Sequence, residues 1–508
     1  METGRDTISE EEELEIKLQL AKVKYEGDFY LTRNRDGEEI RKKTKPETKY
    51  ANQLMAEYLS RKLILLYDPL NKILKVYGEK NYYEDIGEYI VKSKIQTLIG
   101  KHCTRYNQEE ILNKLKNMAI KTTEIKPQSL NLLPFKNGVL DINTMKIREH
   151  SSQDYFEYQV PFDYDITAEC PAIDAFITEV IEPELAELIY DLGGLILYRE
   201  NYLEKIFIFL GKGSNGKTVI IRIFEHAVGV ENCSAVTLKQ LCTERFAKAS
   251  THKKLLNSGS DIGGQPIYDA SPLRALSSKD TISAEFKFGD MFNFTPSATE
   301  VFSANTPPIF IEDTDGMYRR LETINFPNNY GNAEDLKEHP EWKPADPMIL
   351  EKLTKEDELM GFIRKSVEHL KRIIEKKQLS VVRSTDTLRH KYLRASDSLK
   401  VFLEEQCIEA MYVPSDYLKI SREYIPAQNY ILKSEFYTKY KHWCEENKLI
   451  CFSANRVGRR IKGYGFGIET GKEGKDTGKE ESYRGIVWKT ILVNDDALEK
   501  VDEETICR

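Results

Sequence analysis

The sequence predicts an α/β protein built on a largely parallel sheet, and three observations carry that expectation. Short apolar, β-rich runs stand at 205–210 (KIFIFL), 254–260 (KLLNSGS) and 298–304 (ATEVFSA). Segments with helical spacing separate them, as the crossovers of a parallel sheet require. The first run leads straight into Gly211-Lys212-Gly213-Ser214-Asn215-Gly216-Lys217-Thr218, which fits G-x-x-x-x-G-K-[ST] and opens a helical stretch from Thr218 to Val228.

At 508 residues the chain has length for about three domains. Lys+Arg total 74 against Asp+Glu 82, a formal net charge of −8. That balance excludes a protein that coats nucleic acid by uniform basicity, so any contact with DNA or RNA has to come from local patches. No run of about 18 apolar residues occurs, which argues against a membrane span. The start, METGRDTISEEEELE, is acidic where a secretory signal would be basic and then apolar, so the cell interior is expected. The eight cysteines form no C-x-x-C, which leaves free thiols as the expectation.

Along the chain, residues 1–45 are dense in charge and predict a solvated, flexible arm. Residues 46–204 predict a mixed α+β region that acts as an N-terminal collar. YANQLMAEYLSRKLILLY and YIVKSKIQTLIGKH have helical spacing, ILKVYG is β-like, and Asn137-Gly138 between apolar runs marks a tight turn. Residues 172–201 predict one or two amphipathic helices ending near Gly193-Gly194. Residues 205–384 hold the sheet and a long helical lid at 350–378, and 385–508 form a third region.

Chemistry enters at the glycine-rich loop. Gly211, Gly213 and Gly216 let backbone N–H groups curl around phosphate oxygens, with Ser214 and Asn215 in the same turn, and the helix N-terminus adds a favourable field. Lys217 is placed to meet the β- and γ-phosphates of ATP, and Thr218 to ligate Mg²⁺. The second apolar run closes on Asp261, an acid able to hold the Mg²⁺ shell and orient the attacking water; the plain alternative is a turn aspartate before Gly263-Gly264. The third closes on Asn305, whose amide can position water, or simply begin the turn into Thr306-Pro307-Pro308. Arg319-Arg320 offer an arginine for a neighbouring subunit's ATP site, or a solvated pair.

The motifs GKGSNGKT, KKLLNSGSDIGG, LRALSSKDTISAEFKFGDMFNFTP, VFSANTPP and YRRLETINFP, in this order and spacing, resemble superfamily 3 helicases. Within that group they look like the poxvirus-like and phage/plasmid primase–helicase branch. The likeness covers roughly residues 130–330, with FKNGVLDINTMKIREHSSQDYFEYQVPFDYDITAECP upstream of the motor. It implies an AAA+ core assembling as a ring, usually hexameric, with ATP between subunits and single-stranded DNA in the central channel. Lys217, Thr218, Asp261 and Asn305 would then act in one subunit and Arg319 or Arg320 in the next. A channel hairpin at 279–288 is also implied, bringing Lys279 and Lys287 to phosphates and Phe286 or Phe288 beside the strand. Two departures stand out. Ser260 precedes Asp261 where many relatives carry two acids. Asp163-Tyr164-Asp165 is a D-x-D of the kind primases use for metals, but it has no partner histidine motif and little chain before it for a primase fold.

Residues 447–468 carry five basic side chains (Lys448, Arg456, Arg459, Arg460, Lys462) and no acid, with Tyr464 and Phe466 nearby. A helix at 433–448 and a loop at 470–482 between strand-like segments resemble a winged-helix domain, whose basic face meets DNA. Residues 381–490 hold 20 basic and 15 acidic side chains, a surplus of 20 − 15 = +5, so positive charge is gathered at this end. Trp443 and Trp488 are expected to pack the small core. The expected function is an ATP-dependent replicative DNA helicase of a virus, plasmid or integrated element, acting on single-stranded and fork DNA in the host cytoplasm, with primase or polymerase supplied by another chain. An origin-binding initiator or loader, and a remodelling or packaging ATPase that binds no DNA, are the alternatives.

Overall fold

The computed structural model describes residues 10–27, 29–34, 38–69, 71–125, 129–260, 267–310, 315–409, 430–447, 449, 451–464, 468–473, 480–484 and 486–488. Helix α1 (Glu10–Glu26) packs along α2 (Thr48–Lys62). The expected arm at 1–45 is thereby corrected over most of its length. Leu14, Leu18, Ala21 and Tyr25 recur every three or four residues and are buried, and Tyr25 Oη donates to Asn52 Oδ1 at 2.5 Å. The abundant charge occupies the other faces, and an antiparallel pair (Phe29–Arg33 with Glu39–Lys43) follows.

Helices α1, α2, α3 (Gly87–Ile99) and α4 (Arg105–Met118) enclose one core, running from Leu18 to Leu115, beside a four-stranded sheet that includes Leu65–Asp68 and Ile73–Tyr77. From Leu133 onward the buried residues join a different core, shared with the central sheet. The collar drawn at 46–204 is therefore two pieces. The hairpin Leu132–Phe135/Gly138–Asp141, α5 (Pro171–Val180) and α6 (Glu187–Leu197) belong to the motor. In that hairpin Gly138 pairs with Phe135, so the two-residue turn is Lys136-Asn137; Asn137 turns inward to accept from Tyr164 N at 2.9 Å.

Gly193-Gly194 do not end a helix; they lie inside α6. A Cβ on Gly193 would stand 2.3 Å from Ser366 Oγ, and one on Gly194 2.6 Å from Ser366 O. The glycines let α6 press against the long helix Glu356–Lys376, a tertiary demand that outweighs their weak helix propensity. Asp191 of α6 is fully buried and accepts from His369 Nδ1 (2.7 Å), Arg372 (2.5 Å) and Ser380 N (2.5 Å), tying the same two elements together.

The central sheet has five parallel strands: β1 (Ile206–Leu210), β2 (Cys233–Ser234), β3 (Leu256–Gly259), then, beyond an antiparallel hairpin β4 (Ile282–Glu285) and β5 (Met291–Phe294), β6 (Thr299–Ala304) and β7 (Leu321–Asn325). Their order is β2-β3-β6-β1-β7. The expected α/β fold with a parallel sheet is present. Every residue of β1 is buried, as a strand covered on both faces must be. Alternation sends Phe207 and Phe209 into the core shared with α5 and α6, and Ile206, Ile208 and Leu210 into one shared with the C-terminal region.

That region contributes helices Thr385–Ser396 and Ser398–Gln406, α9 (Lys433–Glu446) and α10 (Ala454–Arg460), where α7 is Lys217–Val228 and α8 is Glu356–Lys376. Strands Tyr430–Leu432, Glu480–Arg484 and Glu469–Glu473 form a small antiparallel sheet. Trp443 and Trp488 are buried against Phe402 and Phe436, as expected. Phe466 and residues 474–479 of the 470–482 loop lie outside the described residues. Among the described residues no helix is long and apolar enough to cross a membrane.

Candidate nucleotide-binding site

The loop 211–216 leaves the C-terminal end of β1, between the ends of β6 and β7. Gly213 and Gly216 have φ of +109° and +89°, the left-handed region that a Cβ disfavours. Gly211 is required by contact instead: a Cβ there would fall 1.8 Å from Asn215 Nδ2. The loop delivers Lys217 and Thr218 to the first turn of α7, where backbone N–H groups lack helical acceptors.

Lys217 is buried, and its Nζ donates to Gly211 O at 2.6 Å and Asn215 Oδ1 at 2.9 Å. Burial pushes its amine below the ordinary lysine range, a cost that a bound anion would relieve. Asn215 Nδ2 is buried with no hydrogen-bond partner. An orphaned amide donor, a desolvated ammonium and free helix-end N–H groups therefore meet on one cavity of about 550 Å³. This donor set fits a polyphosphate.

Thr218, Ser260 and Asn305 line the same cavity, Ser260 just past β3 and Asn305 just past β6. Three sequence-predicted elements thus converge at one sheet edge, where open α/β sheets place their ligands. Asp261 lies outside the described residues. Thr218 has the hydroxyl to take part in a Mg²⁺ shell beside phosphate oxygens, and no cluster of three or more His, Cys, Asp or Glu suited to a metal occurs among the described residues. The D-x-D expectation fares worse as a metal site: Tyr164 is buried between its acids, and Asp165 accepts from Thr167 N (2.8 Å) and Oγ1 (2.7 Å) in a turn.

Several lining residues carry no motif. Ser303 of β6 is buried yet reaches the cavity, and so do Phe176 and Glu179 of α5. Tyr330, Pro344, Ala345, Asp346 and Ile349, from the segment after β7, complete it. Only the i, i+3 spacing of Phe176 and Glu179 on a predicted helix could have hinted that they share a face.

The two arginines separate. Arg320 is buried and donates to Gly316 O at 2.8 Å and Glu204 Oε2 at 2.6 Å, so it braces its own chain. Arg319 keeps 59% of its side chain exposed and approaches Glu204 only to 3.6 Å. Of the expected DNA contacts, Lys287 is exposed at the tip of the β4–β5 hairpin. Phe288 beside it is 95% exposed at φ +64°, and Phe286 stacks on Phe292 at 5.0 Å. These residues form a tip, not the strand that the alternation argument assumed. Lys279 is a correction: it pairs with Glu200 and lies over the Tyr202 ring, because its chain turns back onto the neck below β1. Arg460 is another, bonded to the buried Asp397 at 2.7 Å, which also accepts from Tyr464. Arg456, Arg459 and Lys462 are exposed, with Arg456 4.0 Å from the Phe452 ring.

Two family models match the chain. One described as "D5 N terminal like" covers residues 24–182, and a family of unknown function (DUF5906) covers 209–320. Over 411 residues the chain is 22% identical to "Putative helicase 121R" of Invertebrate iridescent virus 3, covering 71% of this chain and 42% of that protein. It is 27% identical over 270 residues to "Putative helicase 184R" of Invertebrate iridescent virus 6, covering 48% and 28%. It is 23% identical over 303 residues to "Putative helicase V13" of Sputnik virophage, covering 54% and 38%. The chain is similar to viral D5-like helicases. It spans less than half the length of these relatives. Among solved structures, the A-form apo structure of the NrS-1 C-terminal region superposes over 85% of this chain and 98% of that one, with a TM-score of 0.44 at 14% identity.

Proposed function

We propose that this chain is the motor of an ATP-dependent DNA helicase of a virus or mobile element, of superfamily 3 type with an AAA+ core. It would work as a ring, probably the wrong word for which is any fixed stoichiometry other than the hexamer usual for that group, on single-stranded and fork DNA. The observation that carries the proposal is the cavity where Lys217, Asn215, Thr218, Ser260 and Asn305 meet at the end of the parallel sheet. The likeness to viral proteins named helicases supports the DNA substrate. In this scheme the loop N–H groups and Lys217 hold the triphosphate and offset the charge that develops during phosphoryl transfer. Thr218 and Asp261 would hold Mg²⁺, which screens the phosphate charge. Asn305 orients the attacking water, and Arg319 reaches the site of the adjacent subunit. Lys287 tracks the strand by sequence-blind phosphate contact. A separate primase or polymerase would complete the fork.

ATP hydrolysis measured with and without single-stranded DNA tests this reading. Hydrolysis should rise with DNA and vanish in Lys217→Ala, whereas hydrolysis indifferent to DNA would sink the helicase assignment. A second reading, an initiator that binds duplex DNA through a winged module, draws on exposed Arg456, Arg459 and Lys462 at one end of the chain. Salt-resistant binding to one duplex sequence with negligible unwinding would favour it.

A further inference from the structure

The glycine-rich loop and the strand ends account for one part of the 550 Å³ cavity. The rest is walled by α5 and by a strap, residues 326–349, that leaves β7 and folds back over the loop. The strap is fastened to the loop itself: Tyr330 N donates to Ser214 O at 2.7 Å. It is fastened to α5 as well, with Tyr330 Oη donating to Glu179 Oε1 at 3.1 Å and Asn328 Nδ2 to Glu179 O at 2.6 Å. Its two limbs pair as short parallel strands, Tyr330–Gly331 with Lys343–Pro344, and Ala345 N donates to Gly331 O at 2.9 Å. What the strap and α5 present to the cavity is largely apolar: Phe176, Pro344, Ala345 and Ile349, joined by the carboxylate of Asp346.

We propose that this strap-and-helix wall is a nucleobase subsite that seats the purine ring of the nucleoside triphosphate whose phosphates lie on the loop. The inference rests on the phosphate reading of the loop and adds which residues select the ligand's other end. A flat heterocycle gains from apolar and aromatic walls, by about 1–3 kcal/mol per stacked base. A purine covers more of such a wall than a pyrimidine. Asp346 can only accept at neutral pH, so it suits the amino or imino N–H groups on a purine edge. Because Tyr330 N holds Ser214 O, seating the base steadies the turn that binds the phosphates, and the two ends of the ligand bind cooperatively.

Titration calorimetry with ATP, GTP, CTP, UTP and inorganic tripolyphosphate, each with magnesium, tests the proposal on the full chain, Ala345→Gln and Ile349→Ala. Ala345 is exposed, so a neutral side chain that occupies the seat leaves the fold intact. The wild type should bind a purine triphosphate at least 10-fold more tightly than tripolyphosphate, and more tightly than CTP or UTP. Both variants should lose most of that advantage while tripolyphosphate affinity stays unchanged. Equal wild-type affinity for ATP and tripolyphosphate, or a purine advantage that survives both substitutions, would overturn the subsite and leave the phosphate loop standing. Failure of the wild type to bind any of the five would overturn both.

Discussion

Lys253 Nζ lies 2.9 Å from Asp85 Oδ2, although 168 positions separate the two residues. The same ammonium is 2.9 Å from Glu157 Oε2, and Glu157 also takes the buried Lys75. The segment leading into β3 is thereby clamped to the N-terminal part of the chain. Burial alone would raise the Glu157 carboxyl, but Lys253 and Lys75 outweigh it and take it down to about 2. Removing Lys253 leaves Glu157 with one partner in a half-dry site. Lys253→Ala should therefore cost roughly 1–3 kcal/mol in urea unfolding. Asp85→Ala should cost less, since Asp85 keeps 45% of its side chain exposed against 19% for Glu157. Equal losses would show that Glu157 gains nothing from Lys253.

His252, the next residue back, sets the behaviour of this clamp in acid. Its ring packs edge-on against Phe292 and Phe294 of the hairpin, with centroids 5.0 and 4.9 Å apart. Burial, with the Lys253 charge beside it, pushes the imidazole down to about 4 from an ordinary 6.5. The unfolded chain therefore binds more protons between those values, and stability falls as the pH drops through that window. The gap corresponds to about 3 kcal/mol at its acid end. Glu157, ordinarily near 4.5, extends the decline toward about 2. Urea midpoints at pH 7 and pH 5 should differ more in wild type than in His252→Gln; identical differences would remove His252 from the account.

Arg319 and Arg320 should part in experiment as they part in the structure. Arg320→Ala removes two bonds inside its own chain and should lower the melting temperature. Arg319→Ala should leave melting unchanged and cut hydrolysis by about 10³-fold or more. If Arg319 serves a neighbour's site, mixing Arg319→Ala with Lys217→Ala subunits should restore part of the activity. No recovery on mixing would place the arginine elsewhere.

What was legible in the sequence is what is local. The loop from Gly211 to Thr218 is read correctly because strand, turn and helix are contiguous, and each residue's role follows from its neighbours. Helix α1 is hidden because its acidic run masks four apolar residues whose partner, α2, comes later in the chain. Gly193-Gly194 read as a stop because the helix they accommodate begins at Glu356. Lys279 and Arg460 read as DNA contacts because Glu200 and Asp397, which hold them, are distant in sequence. The strap carries no motif at all: Tyr330 reaches the loop through a backbone N–H, which any residue but proline could supply.

The β4–β5 hairpin allows contact with DNA to be separated from folding. Phe286 stacks on Phe292 with ring planes 14° apart, so Phe286→Ala should loosen the hairpin itself. Phe288 is different: it is 95% exposed and holds φ +64°, a backbone state costing a non-glycine residue about 1–3 kcal/mol. Phe288→Gly relieves that strain, so the variant should melt no lower than wild type. If the ring stacks on bases, the same variant should bind single-stranded DNA about 10-fold more weakly, at any salt concentration. Lys287→Ala should act the other way round, reducing the salt dependence of binding by about 0.7 in the slope of log K against log salt. Titrations of both variants across salt concentrations distinguish these outcomes. A Phe288→Gly protein that binds DNA as wild type does would mean that the tip makes its contact through charge alone, and the strained phenylalanine would then need another explanation.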